Sequence, residues 1–194
     1  VSWARRCVSG TALTQCMTDS MGLSGADTVC GIVPMFHAMG WGIPWSALML
    51  GCKQVMPHRF MDPARLIELM SSEKVTLSAG VPTIWQGVKG LYEANPGAYD
   101  LSSLSRLTCG GSSPPPSLIR WFWDELDVEM IQGWGMTETS PLATLSRRVM
   151  KRSQLSLSED EQFENVAKAG QLMPGLGLDI FDEEFNRLPH GLSL

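Results

Sequence analysis

The chain has 194 residues, 44% of them apolar and 18% charged, with a formal net charge of −5; this carries one globular domain with a real core rather than a disordered polymer. An acidic balance with no basic cluster beyond Arg147-Arg148 and Lys151-Arg152 argues against nucleic acid as a partner, no apolar run approaches the ~20 residues of a membrane span, and Arg5-Arg6 is followed by no continuous apolar core of a secretion signal. Five cysteines with no CxxC pair predict neither a zinc site nor a disulfide framework, and place the chain in a reducing, cytoplasmic compartment.

Residues 1 to 21 show no regular pattern. Thr28 to Val33 is a short apolar run, read as a buried strand that stops at Pro34. Met35 to Leu50 is apolar almost all round, a buried helix broken by Gly40, Gly42 and Pro44. Gln54 to Met56 is a short strand. Asp62-Pro63 starts a helix, with Asp as N-cap and Pro in the first turn, and Leu66, Ile67, Leu69 and Met70 form its inner face. Lys74 to Ala79 reads as a strand, and Val81, Ile84, Trp85, Val88 and Leu91 sit at helical spacing and give the next helix its core stripe up to Asn95-Pro96-Gly97. Ser105 to Cys109 is a strand. Gly110-Gly111-Ser112-Ser113-Pro114 then turns into a helix with a Ser N-cap, whose buried side is Leu118, Ile119, Phe122 and Leu126.

Val128 to Ile131 is the next strand. Ser140 to Asn165, with its charge run Glu159-Asp160-Glu161, is expected to be a solvated loop or short helix, Leu178 to Phe181 a strand, and Asp182 to Arg187 a turn. Strands alternating with helices predict an α/β fold, a mainly parallel sheet flanked by helices on both faces. Nothing in the composition divides residues 1–194 into two domains. Ligands of such sheets bind beyond the carboxyl ends of the strands, where Gly110-Gly111 and Gly133-Trp134-Gly135 fall.

The stretch Ile131 to Pro141 carries the chemistry. Gly133 and Gly135 let the backbone approach a ligand closely, and Trp134 between them offers a planar face. Thr137 can hydrogen-bond a phosphate oxygen and Glu138 can hold a divalent cation. A nucleotide with Mg²⁺ satisfies all three features; a surface turn with an exposed Trp and a helix-start Thr/Glu pair would also produce them.

The run from Gln132 to Thr139 resembles the adenylate-forming (AMP-binding) superfamily, which includes acyl-CoA synthetases, adenylation domains and luciferases. The resemblance implies that Trp134 stands where an aromatic, usually Tyr, stacks on adenine, that Thr137 contacts a nucleotide phosphate and that Glu138 serves Mg²⁺. Gln132, Gly133, Gly135 and Met136 belong to the same nucleotide-binding stretch. Pro34 to Gly42 is similar to the family segment whose His lines the acid pocket, and His37 occupies that position. Gly110, Gly111, Ser112 and Ser113 resemble the turn that packs on the adenine. Lys168-Ala169-Gly170, Met173-Pro174-Gly175 and Leu188-Pro189 follow the family order, although Pro189-His190-Gly191 lacks the usual Asp.

Pro34 to Gly51, Ala79 to Trp85 and Gly133 to Leu142 look like acid–CoA ligases for fatty or methylthio acids. This resemblance implies part of a large N-terminal domain, with the phosphate loop upstream and the C-terminal lid domain downstream of residues 1–194. Val8-Ser9-Gly10-Thr11 is not that loop: no second Thr-Gly follows and no Lys is near. The implied reaction activates a carboxylic acid with ATP to acyl-AMP and then transfers the acyl group to CoA, with Thr137, Glu138 and His37 as its catalytic residues. Met39, Trp41, Val81, Thr83 and Trp85 are candidate pocket walls, bulky enough to favour short- to medium-chain acids. Alternatives are an adenylating relative that loads a carrier protein and an inert nucleotide-binding fragment.

Overall fold

The computed structural model describes residues 20–59, 61–139, 142–174 and 176–188. Val8 to Thr11 lies outside them. The strands are β1 (Thr28–Gly31), β2 (Lys53–Val55), β3 (Leu77–Gly80), β4 (Arg106–Cys109), β5 (Glu129–Gly135), β6 (Leu142–Ser146) and β7 (Gln171–Leu172). The helices are α1 (Ala38–Trp41), α2 (Ile43–Leu50), α3 (Pro63–Ser72), α4 (Pro82–Ala94), α5 (Pro116–Leu126) and α6 (Glu159–Val166). No helix among the described residues is long and apolar enough to cross a membrane.

These strands form one sheet in the order β2-β1-β3-β4-β5-β6-β7. Pairing is parallel from β2 through β5 and antiparallel for β5–β6 and β6–β7. The central parallel strands β3 and β4 are short and nearly all buried, as expected where helices cover both faces. On one face Leu66, Ile67 and Met70 of α3, Trp85 and Val88 of α4, and Leu118, Ile119 and Phe122 of α5 pack with Leu107, Cys109 and Met130. On the other, Ile43 and Ala47 of α2 join Met21, Leu23, Val29, Leu77 and Ala79.

Local chemistry explains the helix starts. The Asp62 carboxylate accepts from the Arg65 N–H at 3.1 Å, ahead of Pro63. The Ser158 and Glu161 side chains cap α6 reciprocally. Gly87 lets α3 and α4 meet: a Cβ there would lie 2.4 Å from Cγ of Pro63.

Several expectations are corrected. α5 starts at Pro116, with Pro115 as a cap that makes no side-chain hydrogen bond, so neither Ser112 nor Ser113 caps it and both stay exposed. Val128 to Ile131 is too short a strand: β5 continues through Gly135 because β6 runs back along Gln132 to Gly135 and takes up its backbone groups. That return strand lies inside Ser140 to Asn165, a segment therefore neither wholly loop nor wholly solvated. Leu178 to Phe181 forms no strand; its apolar side chains are exposed, and the turn at Asp182 is closed by a single Phe181–Arg187 bridge.

The amino ends of the strands, opposite the carboxyl ends, are held by a polar network. Asp27 accepts from Thr76 Oγ1 at 2.7 Å and from the Ser24 N–H at 2.8 Å, and pairs with Arg106. Arg106 also donates to the carbonyls of Met21 and Gly22 at 2.8 and 2.7 Å. β1, β3 and β4 are thereby tied at one end, which leaves their other end to present loops.

Candidate active site

The carboxyl ends of β1, β3, β4 and β5 all open at one edge of the sheet, because these strands are parallel. After β1 the chain turns at Pro34, whose carbonyl accepts from the His37 N–H at 2.9 Å. His37 is exposed. Met39, Gly40, Trp41 and Gly42 then all have positive φ, from 55° to 74°. This left-handed run costs side-chain-bearing residues roughly 1–2 kcal/mol each, and backbone strain of this kind gathers at functional sites. It breaks the expected long helix into α1 and α2, and it carries Trp41 onto Gly110. A Cβ on Gly110 would lie 3.0 Å from the Trp41 ring and 3.1 Å from the Gly133 carbonyl oxygen. The His37 and Trp41 ring centroids are 6.2 Å apart.

Parallel pairing sets Cys109 beside Gln132, so the Gly110-Gly111 turn runs alongside Gly133. Gly111 has φ of 78° and sits against Val81 at the start of α4. Val81 and Thr83 are at the surface of this edge. Trp85 is not: it is fully buried, its ring packed under Gly80 in the main core. Of its two readings, core stripe and pocket wall, the structure bears out the first, since the helical period turns its position inward.

Gln132 is buried; its Nε2 donates to Ser113 Oγ at 3.4 Å, and its Oε1 has no hydrogen-bond partner. Trp134, two residues on, is 45% exposed although the three residues before Gly133 are buried. Beyond Gly135 and Met136, Thr137–Thr139 forms a single 3-10 turn that presents Thr137 and Glu138 to solvent. Thr139 shapes that turn: its hydroxyl accepts from the Met136 N–H at 3.0 Å and donates to the Met136 carbonyl at 2.9 Å. Sequence reading missed this role; a hydroxyl three residues after Met136 was its only signal. Among the described residues no group of three or more His, Cys, Asp or Glu is placed to hold a metal ion. A lone exposed carboxylate suits Mg²⁺ that arrives on nucleotide phosphates, as this ion binds through one or two carboxylates with its waters retained.

Residues 4–193 match the family of AMP-binding enzymes. The chain belongs to that family. As an AMP-binding enzyme it is 39% identical over 189 residues to a long-chain-fatty-acid–CoA ligase of Thermus thermophilus, covering 97% of this chain and 34% of that protein. It is 40% identical over 178 residues to a medium-chain-fatty-acid–CoA ligase of Ectopseudomonas oleovorans, covering 92% and 32%. The chain thus spans about a third of the length of these relatives. Its fold matches the crystal structure of a long-chain-fatty-acid–CoA ligase from Archaeoglobus fulgidus, with a TM-score of 0.76 at 24% identity, over 96% of this chain and 36% of that one. In this AMP-binding fold His37, Trp41, Gly110, Gly111, Val81, Ser113, Gln132 and Gly133 come together at one edge, with Trp134, Thr137 and Glu138 just beyond.

Proposed function

We propose that these residues form the nucleotide and acid sites of an acid–CoA ligase, which activates a carboxylic acid with ATP and transfers it to CoA. The observation that carries this reading is the placement of Trp134. Trp134, 45% exposed, follows the buried run Met130 to Gln132, and the Cys109–Gln132 register carries the Gly110-Gly111 turn alongside Gly133; in this reading a planar base lies between that aromatic face and the side-chain-free backbone. The unpaired Oε1 of Gln132 supports it, since a buried acceptor without a donor is costly and a purine's exocyclic amine would supply one.

The chemistry assigned to each side chain follows. Thr137 donates its hydroxyl to a phosphate oxygen. Glu138 holds its carboxylate toward the same phosphates, where Mg²⁺ would neutralise charge that grows as the acid carboxylate attacks the α-phosphorus. His37 orients that carboxylate. Acyl-AMP and pyrophosphate result, and the CoA thiol then displaces AMP. Met39 and Trp41, with Val81 and Thr83, stand as walls of the acid site, and their bulk favours short- to medium-chain acids.

The test uses the full-length protein, since this chain spans only 34% and 32% of the two relatives' lengths. Glu138→Gln keeps the shape and removes the charge. Pyrophosphate exchange is expected to fall by ~10²–10³, the usual cost of one preorganised electrostatic contact, while ATP binding changes little. An exchange rate equal to that of the parent would remove Glu138 from the mechanism.

A further inference from the structure

Thr108 is the third residue of β4 and is 2% exposed. Its Oγ1 has no hydrogen-bond partner. Among the described residues the buried serines of the sheet are paired, Ser78 donating to the Cys30 carbonyl at 2.9 Å and Ser146 to the Asn165 carbonyl at 2.9 Å, while Thr144 Oγ1 of β6 shares the unpartnered state but lies on the far side of β5 from β4. Thr108 lies between Ala79 of β3 and Ile131 of β5 in register. Side chains two apart on a strand share a face, so Thr108 points to the side that Gly110 presents to the Trp41 ring. Its Cγ2 is 4.0 Å from the place of a Cβ on Gly133, which confirms the face. Two residues of strand rise about 6.6 Å, so the hydroxyl stands about that far below the level where Trp41 meets Gly110.

The register neighbours of Thr108 on the two flanking strands, Ala79 and Ile131, and Gly133 on the same face offer its hydroxyl no side-chain polar group. An alkyl chain entering along this face offers it nothing. A chain with an oxygen at the right depth offers an acceptor for the Thr108 hydroxyl, and a hydroxyl substituent offers a donor as well. We propose that Thr108 is a specificity-determining residue of the acid site, pairing with an oxygen on the acid's chain, so that hydroxy-, oxo- or alkoxy-substituted acids are preferred to plain alkyl acids of equal length. This rests on the acid–CoA ligase reading above.

The experiment measures kcat/KM for acyl-CoA formation by the full-length enzyme, with alkyl acids and with the same acids bearing one hydroxyl or oxo group at successive carbons. At one position the parent enzyme is expected to prefer the substituted acid about tenfold. Thr108→Val keeps the shape and loses the hydroxyl; it should abolish that preference while alkyl acids keep their rates within about threefold. Thr108→Ser should retain the preference. A parent enzyme that favours the alkyl acid at every position overturns the proposal without need of a variant, and so does a preference that survives in Thr108→Val. A parent enzyme that activates alkyl acids but meets either condition leaves the ligase reading intact; one that activates no acid removes both.

Discussion

Trp134 is where a single side chain separates a ligand platform from a piece of surface. Its ring is half-exposed, so it contributes little to the core, and Trp134→Ala should leave the unfolding midpoint nearly unchanged. In the full-length protein the same substitution is expected to weaken ATP binding by roughly 1–3 kcal/mol, the scale of stacking a base on an aromatic ring. Trp134→Tyr should bind ATP nearly as well as the parent. Calorimetric titration decides: equal affinity in Ala variant and parent would leave the ring without a nucleotide role. Trp134, Thr137 and Glu138 were readable as a motif because their chemistry lies in residue type and spacing. The lock made by Thr139 is local but left only a lone hydroxyl three residues after Met136 as its signal, and the unpaired oxygen of Gln132 left none, because the lack of a partner is settled only when chain segments meet.

At the scale of elements, the α3–α4 contact offers a test in which two effects have opposite sign. Gly is worse than Ala by about 1 kcal/mol inside a helix, so Gly87→Ala should stabilise α4 if nothing lies near it. The Cβ would instead meet Pro63 at 2.4 Å and force the helices apart. Overpacking of this kind costs typically 1–3 kcal/mol, and we expect the contact to prevail, with a lower urea midpoint. A raised midpoint would mean that α3 and α4 are not this close in solution. Asp62→Ala at the neighbouring cap should cost ~1 kcal/mol, read in the same urea series. The cap was evident from Asp62-Pro63 alone, since it acts within four residues. The Gly87–Pro63 approach was not, since it depends on how two helices cross.

For the whole molecule, the network around Asp27 sets the response to acid. Burial alone would raise the Asp27 carboxyl, but hydrogen bonds from Thr76 and Ser24 and the Arg106 charge outweigh it and hold it below the ordinary carboxylate range. A group depressed in the folded state contributes stability that is present above its unfolded pKa of about 3.9 and is lost as pH falls through the lower folded value. The parent should therefore lose stability below about pH 4, and Asp27→Asn should flatten that part of the profile. Asp27→Ala leaves Arg106 uncompensated and should cost about 3–5 kcal/mol at neutral pH. An acid limb identical in parent and Asp27→Asn would show the network to be energetically idle. Burial also pushes the Cys30 and Cys109 thiols up to about 12, so both should resist alkylation at neutral pH until the sheet opens. By itself the sequence determined the alternation of strands and helices and the starts of α3 and α4, because apolar periodicity and caps act over a few residues. Only the tertiary structure decided that β6 returns along β5, that Trp41 rests on Gly110 and that Thr108 has no partner. Each of these depends on which segments, dozens of residues apart, become neighbours in the sheet, and that is set by packing the whole core at once.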